Sequence, residues 1–145
     1  SKEDVINNIK ELREFAGDRA ILRALHFFDE NERVRKATKY LADGDINGFF
    51  DVINASGESS AMLLQNYFSP KAPIEQGITL AYALAKEVLD GKGACRVHGG
   101  GFAGTIQAFV PTDKLDIFTS VMENSFGKGA VTPLYVRPVG MTKLF

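Results

Sequence analysis

Apolar residues return every three or four positions through most of residues 1–66, and every second position only in a short run near 105–110. Val5, Ile9 and Leu12 predict a helix over 4–15, with Gly17 just past its end as a stop signal. A longer helix follows. Ala20, Ala24, Phe27, Val34 and Leu41 fall on one stripe, and Ile21, Leu25 and Phe28 widen it, so burial on more than one side is expected. Asn31 lies on that stripe, and its amide is expected to bond a neighbouring backbone. Gly44 ends the helix and Asp45 caps the next, whose apolar face is Ile46, Phe49, Phe50 and Ile53. The short turn between the two predicts antiparallel packing.

Beyond residue 66 the pattern changes. Tyr67-Phe68-Ser69 reads as a short strand before Pro70, and Pro73 suits the first turn of a helix carrying Ile74, Ile78, Ala81, Ala85 and Val88 to Gly91. A strand through Cys95 and Val97 leads into a glycine turn. In the strand after it, Ile106, Ala108 and Val110 share one face while Thr105, Gln107 and Phe109 share the other. After Pro111, Thr112 and Asp113 cap a helix with Leu115, Phe118 and Met122 on one side and Gly127 at its end; Leu134-Tyr135-Val136 makes a last strand, ended by Pro138. From residue 67 the order is βαββαβ, the ferredoxin-like split βαβ pattern. The expected class is α+β: a two-layer sandwich of an antiparallel sheet with helices on one face, and three earlier helices packed around it.

Length and composition fit one domain spanning 1–145, a helical part (1–66) followed by the βαββαβ part (67–145). The 45% hydrophobic and 24% charged content is that of a globular protein, and a net charge of −1 with interspersed signs offers no electrostatic case for nucleic acid or a membrane surface. The single cysteine, Cys95, excludes an internal disulfide and gives no zinc spacing, which suits a reducing cytoplasm; within a strand it reads as a small core residue rather than a nucleophile. No apolar run reaches membrane-spanning length and no signal peptide opens the chain. The chain begins at Ser1 rather than Met, as a segment cut from a longer protein would.

The chemistry concentrates in Arg96-Val97-His98-Gly99-Gly100-Gly101-Phe102-Ala103-Gly104. Four glycines in six positions carry a large ordering cost, so the turn needs positive φ angles or a close backbone approach; amides in such a turn can form an anion-binding nest. Two uses stay open, a tight hairpin turn or a phosphate-contacting loop. Gly99, Gly101 and Gly104 satisfy G-x-G-x-x-G, but a dinucleotide site needs that turn to open a helix, and here a strand follows. There is no Walker-type phosphate loop either. Gly57-Glu58-Ser59-Ser60-Ala61 places its serines within a running helix instead of before one, so it lacks the context of a phosphate loop.

The segment from Arg96 to Gly104 resembles the third motif of the GHMP small-molecule kinases in its galactokinase form: Arg, an apolar residue, Thr, Gly-Gly-Gly-Phe-Gly-Gly, then a strand. His98 replaces the usual Thr and Ala103 the usual Gly. Glu30-Asn31-Glu32-Arg33, Leu41-Ala42-Asp43-Gly44-Asp45, Asn54-Ala55-Ser56 and Gly140-Met141-Thr142-Lys143-Leu144 also resemble galactokinase segments, so the likeness runs from about Asp18 to Leu144. After Asn-Ala-Ser the family has His and then Ser-Leu-Arg-Asp; this chain departs from it with Gly57 and Ser59-Ser60-Ala61-Met62.

The resemblance implies a ferredoxin-like C-terminal domain of a cytoplasmic enzyme that uses ATP and Mg²⁺ to phosphorylate the anomeric hydroxyl of galactose. Its catalytic Asp and Arg, sugar-recognition motif and main phosphate loop belong to an N-terminal domain, the implied partner, that matches nothing here. This chain then supplies one cleft wall: Arg96, His98, Gly99, Gly100, Gly101, Phe102, Ala103 and Gly104 support the phosphate loop of that domain. Other GHMP sugar kinases and a non-catalytic sugar- or nucleotide-sensing paralogue are the alternatives. A free-standing ferredoxin-like binding module is disfavoured, because its docking edge would lie exposed. Arg96 can be a phosphate or inter-domain partner or a salt-bridge residue, and His98 can donate where the family's Thr does or be structural. His26 reads as a helix-face residue without chemistry.

Overall fold

The computed structural model describes residues 1–102, 104–136 and 139. Ser1 and Asp4 form a capping box that starts α1 (Lys2–Asn7). The helix expected over 4–15 is two helices. Asn8 turns its side chain back onto the Asp4 carbonyl at 2.8 Å, competing with the helical backbone, and α2 (Ile9–Ala16) begins after it. Gly17, at φ 79°, ends α2 and leads into the 25-residue α3 (Asp18–Ala42).

Among the described residues, only one side of α3 is covered. Helices α1, α2 and α4 (Ile46–Ser59) pack against it, and Ile21 and His26 are its buried residues. The predicted stripe is the other side: Phe27 is 60% exposed, Val34 59% and Leu41 51%. Asn31 is exposed with them, so its expected burial is corrected. The α3–α4 turn is as expected, with Asp45 accepting the Gly48 N–H at 2.9 Å.

Helix α4 runs into a π-helical turn, Ser60–Leu64, closed by a left-handed Gln65. The predicted strand at Tyr67-Phe68-Ser69 is a bend. Two backbone-bonded turns, Ala72 N–H to Ser69 and Glu75 N–H to Ala72, then keep Pro73 and Ile74 out of the next helix, so α5 (Gly77–Leu89) starts later than expected and Ile74 is exposed.

Strands β1 (Ala94–His98) and β2 (Thr105–Phe109) form an antiparallel hairpin, in register from Ala94↔Phe109 to His98↔Thr105. The period-two pattern holds. Cys95, Ile106 and Ala108 meet Ala85 and Leu89 of α5 and Phe118 and Met122 of α6 (Leu115–Phe126), while Val97 joins Tyr67 and Ile78. Phe109, on the opposite face, sets its ring 5.3 Å from that of Phe49 and 5.9 Å from that of Phe50. Helix α4 reaches that face only at Phe109, while Thr105 and Gln107 on it are exposed. Thr112 and Asp113 do not cap α6; they lie in a 3-10 turn whose Lys114 Nζ donates to the carbonyls of Val88 and Leu89 at 2.8 and 2.9 Å, tying the two helices together.

Leu134-Tyr135-Val136 is no strand. A β-prone run becomes one only against a pairing edge, and the sheet has two strands among the described residues. Pro138 and the 140–144 segment lie outside the described residues. The class is α+β, and among the described residues its sheet is the β1–β2 hairpin.

Along the outer edge of β1 runs α4. Asn54 Nδ2 donates to the Gly93 carbonyl and its Oδ1 accepts the Cys95 N–H, both at 3.1 Å. Gly57 brings the two backbones together, since a Cβ there would stand 2.8 Å from the Cys95 carbonyl oxygen. Tyr67 donates its hydroxyl hydrogen to the Gly57 carbonyl at 2.8 Å. The strand edge is thereby closed to other chains.

Candidate functional site

The hairpin delivers the glycine loop to its tip. Gly99 and Gly100 are exposed, with no atom within 4 Å of a would-be Cβ. Gly101 differs: at φ 80°, its Cβ would fall 2.1 Å from the Asn66 carbonyl oxygen, so the loop is pressed onto the residue after the π-helical turn. Phe102 is left-handed at φ 64° and donates its N–H to that carbonyl at 2.7 Å. Asn66 Nδ2 donates to the Gly100 carbonyl at 3.2 Å. Gly99 and Gly100 form a turn closed by the Gly101 N–H, and their own N–H groups have no acceptor among the described residues. Successive free amides on an open turn are an anion-binding geometry.

The other sequence candidates divide. His98 ends β1, exposed beside the loop, and Gly104 is exposed on its far side; Ala103 lies outside the described residues. Arg96 points away from the tip. Its NH1 meets Glu30 Oε1 at 2.9 Å and its Nε the Val97 carbonyl at 3.2 Å, which makes it a salt-bridge residue here.

That salt bridge opens onto a network that periodicity did not reveal. Glu30 Oε2 accepts from Arg33 Nε at 2.7 Å, Oε1 accepts from Ser56 Oγ at 2.6 Å, and Arg33 NH2 reaches Ser59 Oγ at 2.9 Å. His26 Nδ1 shares the Ser59 hydroxyl at 2.9 Å. Burial pushes the Glu30 carboxyl up, but the bonds from Ser56 and Arg33 and the Arg96 charge outweigh it and hold it below the usual range. Burial lowers His26, and the Arg33 and Arg96 charges add to that against Glu30. The i, i+3 pair Glu30 and Arg33 was the only signal in the sequence, and it said nothing of depth. Asn54 and Ser56 bond β1 and Glu30, so the Asn-Ala-Ser segment is here a packing element. Asn66 carried no signal at all.

Cys95 is fully buried, and burial pushes its thiol up to about 11, so it is a core residue as expected. Among the described residues, no group of three or more His, Cys, Asp or Glu side chains could hold a metal ion, and no helix is long and apolar enough to cross a membrane.

No protein-family profile matches the chain. It is similar to the galactokinase of Actinobacillus succinogenes, 32% identical over 106 residues that make up 73% of this chain and 26% of that protein. The galactokinase of Mannheimia succiniciproducens is 30% identical over 109 residues, 75% of this chain and 26% of that protein. A galacturonokinase of Arabidopsis thaliana is 34% identical over 108 residues, 73% of this chain and 23% of that protein. The chain spans 26% or less of the length of each.

Proposed function

We propose that this chain belongs to the galactokinase family of sugar kinases, to whose members it is 30–34% identical over 73–75% of its length, and that the whole protein is a GHMP-type kinase in which the chain supplies one wall of the phosphate site. The reaction is attack by the anomeric hydroxyl oxygen of galactose on the γ-phosphorus of ATP. The bond to the β,γ-bridging oxygen breaks, ADP leaves, and the hydroxyl proton passes to a base outside this chain.

The observation that carries this reading is the glycine tip, with the Gly99 and Gly100 amides free of acceptors among the described residues and open space above both. Those amides fit the oxygens of a polyphosphate, and fixed donors aimed at developing charge lower the barrier to its transfer. His98 adds a side-chain donor where the family has Thr. Mg²⁺, held mainly by the remainder of the protein, neutralises phosphate charge when bound. The N-terminal domain is the partner, and the protein works in the cytoplasm.

A second sugar is favoured by one observation: the galacturonokinase is as similar to this chain as the galactokinases are. Under that reading the substrate is a hexuronic acid, chosen by residues of the other domain. The test is incubation of the complete protein with Mg²⁺, ATP and either galactose or galacturonate, with sugar 1-phosphate measured. Product from one of them decides the substrate; no product from any hexose or hexuronic acid removes the kinase reading. The isolated chain is expected to form none.

A further inference from the structure

Asn66 is 2% exposed and meets the glycine loop with both its backbone and its side chain. Its carbonyl accepts the Phe102 N–H and its Nδ2 donates to the Gly100 carbonyl, while Oδ1 of the same amide is buried without a hydrogen-bond partner among the described residues. Exchanging the amide's oxygen and nitrogen gives no relief. It would set an acceptor against the Gly100 carbonyl and leave the donor unmet. A buried orphan acceptor is costly and persists where the surroundings over-determine its position. Here the π-helical turn does so: Gln65 N–H closes on the Ser60 carbonyl at 2.8 Å, and the left-handed Gln65 delivers Asn66 beneath the loop. Turns of this kind recur at functional sites.

We propose that Asn66 is a positioning residue for phosphate binding at the glycine loop. Because a trans peptide points its carbonyl and the following N–H in opposite directions, drawing the Gly100 carbonyl onto Nδ2 turns the Gly101 N–H away from Asn66. Taking up the Phe102 N–H fixes the next peptide plane as well. Gly101 is then held against the Asn66 carbonyl with no room for a side chain. The free amides of Gly99 and Gly100, in the turn that Gly101 closes, keep one arrangement instead of sampling many, which lowers the entropy lost when an anion binds. The identity of the anion as the phosphate of ATP rests on the function proposed above; the anchoring of the loop does not.

Two variants in the complete protein test this, Asn66→Asp, which keeps size and loses the donor, and Asn66→Ala. Backbone ¹⁵N relaxation reads the order of Gly99, Gly100 and Gly101, hydrogen exchange reads the Phe102 amide, and helix α5 serves as the folding control. The expected result is loss of loop order, Phe102 exchange about tenfold faster, α5 unchanged, and a KM for ATP raised about tenfold with kcat nearly constant. Unchanged loop order in both variants overturns the anchoring role. Loop order lost with an unchanged KM for ATP, or with kcat alone reduced, upholds the anchor and overturns the assignment of the loop to phosphate binding. If Asn66→Ala does not fold, Asn66→Asp carries the same readouts.

Discussion

Gly57 stands where α4 and β1 touch backbone to backbone. A methyl group there would lie 2.8 Å from the Cys95 carbonyl oxygen and 3.0 Å from the Tyr82 ring, two groups that cannot both give way. Gly57→Ala is therefore expected to cost about 1–3 kcal/mol, read as a lower urea midpoint at unchanged m-value. Asn54→Ala strands the Cys95 N–H and the Gly93 carbonyl and is expected to cost a similar amount, about 1–3 kcal/mol. A midpoint equal to wild type in either variant would show that helix and strand are not joined there. Cys95, with its thiol pushed up to about 11 by burial, is expected to resist alkylation at pH 8 in the native protein and react fully in denaturant.

Helices and strands with a covered apolar face were legible from spacing. The hairpin alternation, the α5 face through Ile78 and Ala85, and the α6 face of Phe118 and Met122 all appear where the sequence placed them. Misplaced elements have local causes that spacing does not encode. Asn8 competes for the backbone and splits one helix into two, and the paired turns between Ser69 and Glu75 delay α5. Helix α3 is apolar on two sides, and periodicity alone does not say which neighbours arrive. Because the Asn31 side is open, Asn31→Ala is expected to change stability by no more than about 0.5 kcal/mol; a larger loss in thermal or urea unfolding would mean that this side is covered.

Across the molecule, the Glu30 network joins the neighbouring helices α3 and α4 to β1, whose Arg96 is 66 residues from Glu30, and it ties stability to pH. His26 is held below its ordinary value of 6.5, so the unfolded chain takes up the proton first. Its contribution is complete above pH 6.5 and shrinks as pH falls towards the folded value. Glu30, held below its ordinary 4.5, contributes above that value and loses its contribution as pH falls through the folded one. The thermal midpoint is thus expected to decline on acidification in two stages, the first beginning near pH 6.5. His26→Gln should remove the first stage and leave the second; an unchanged profile would contradict the assignment. What the sequence determined by itself is whatever repeats over a few residues: the helical and alternating stripes, the glycine stop signals, and a glycine turn whose residue types suit an anion. Only the tertiary structure decided which α3 side is covered, that Arg96 turns to Glu30 instead of the loop, and that Asn66 carries Gly101. Each of these depends on a contact between segments dozens of residues apart, where burial and a single well-placed polar atom outweigh local preference.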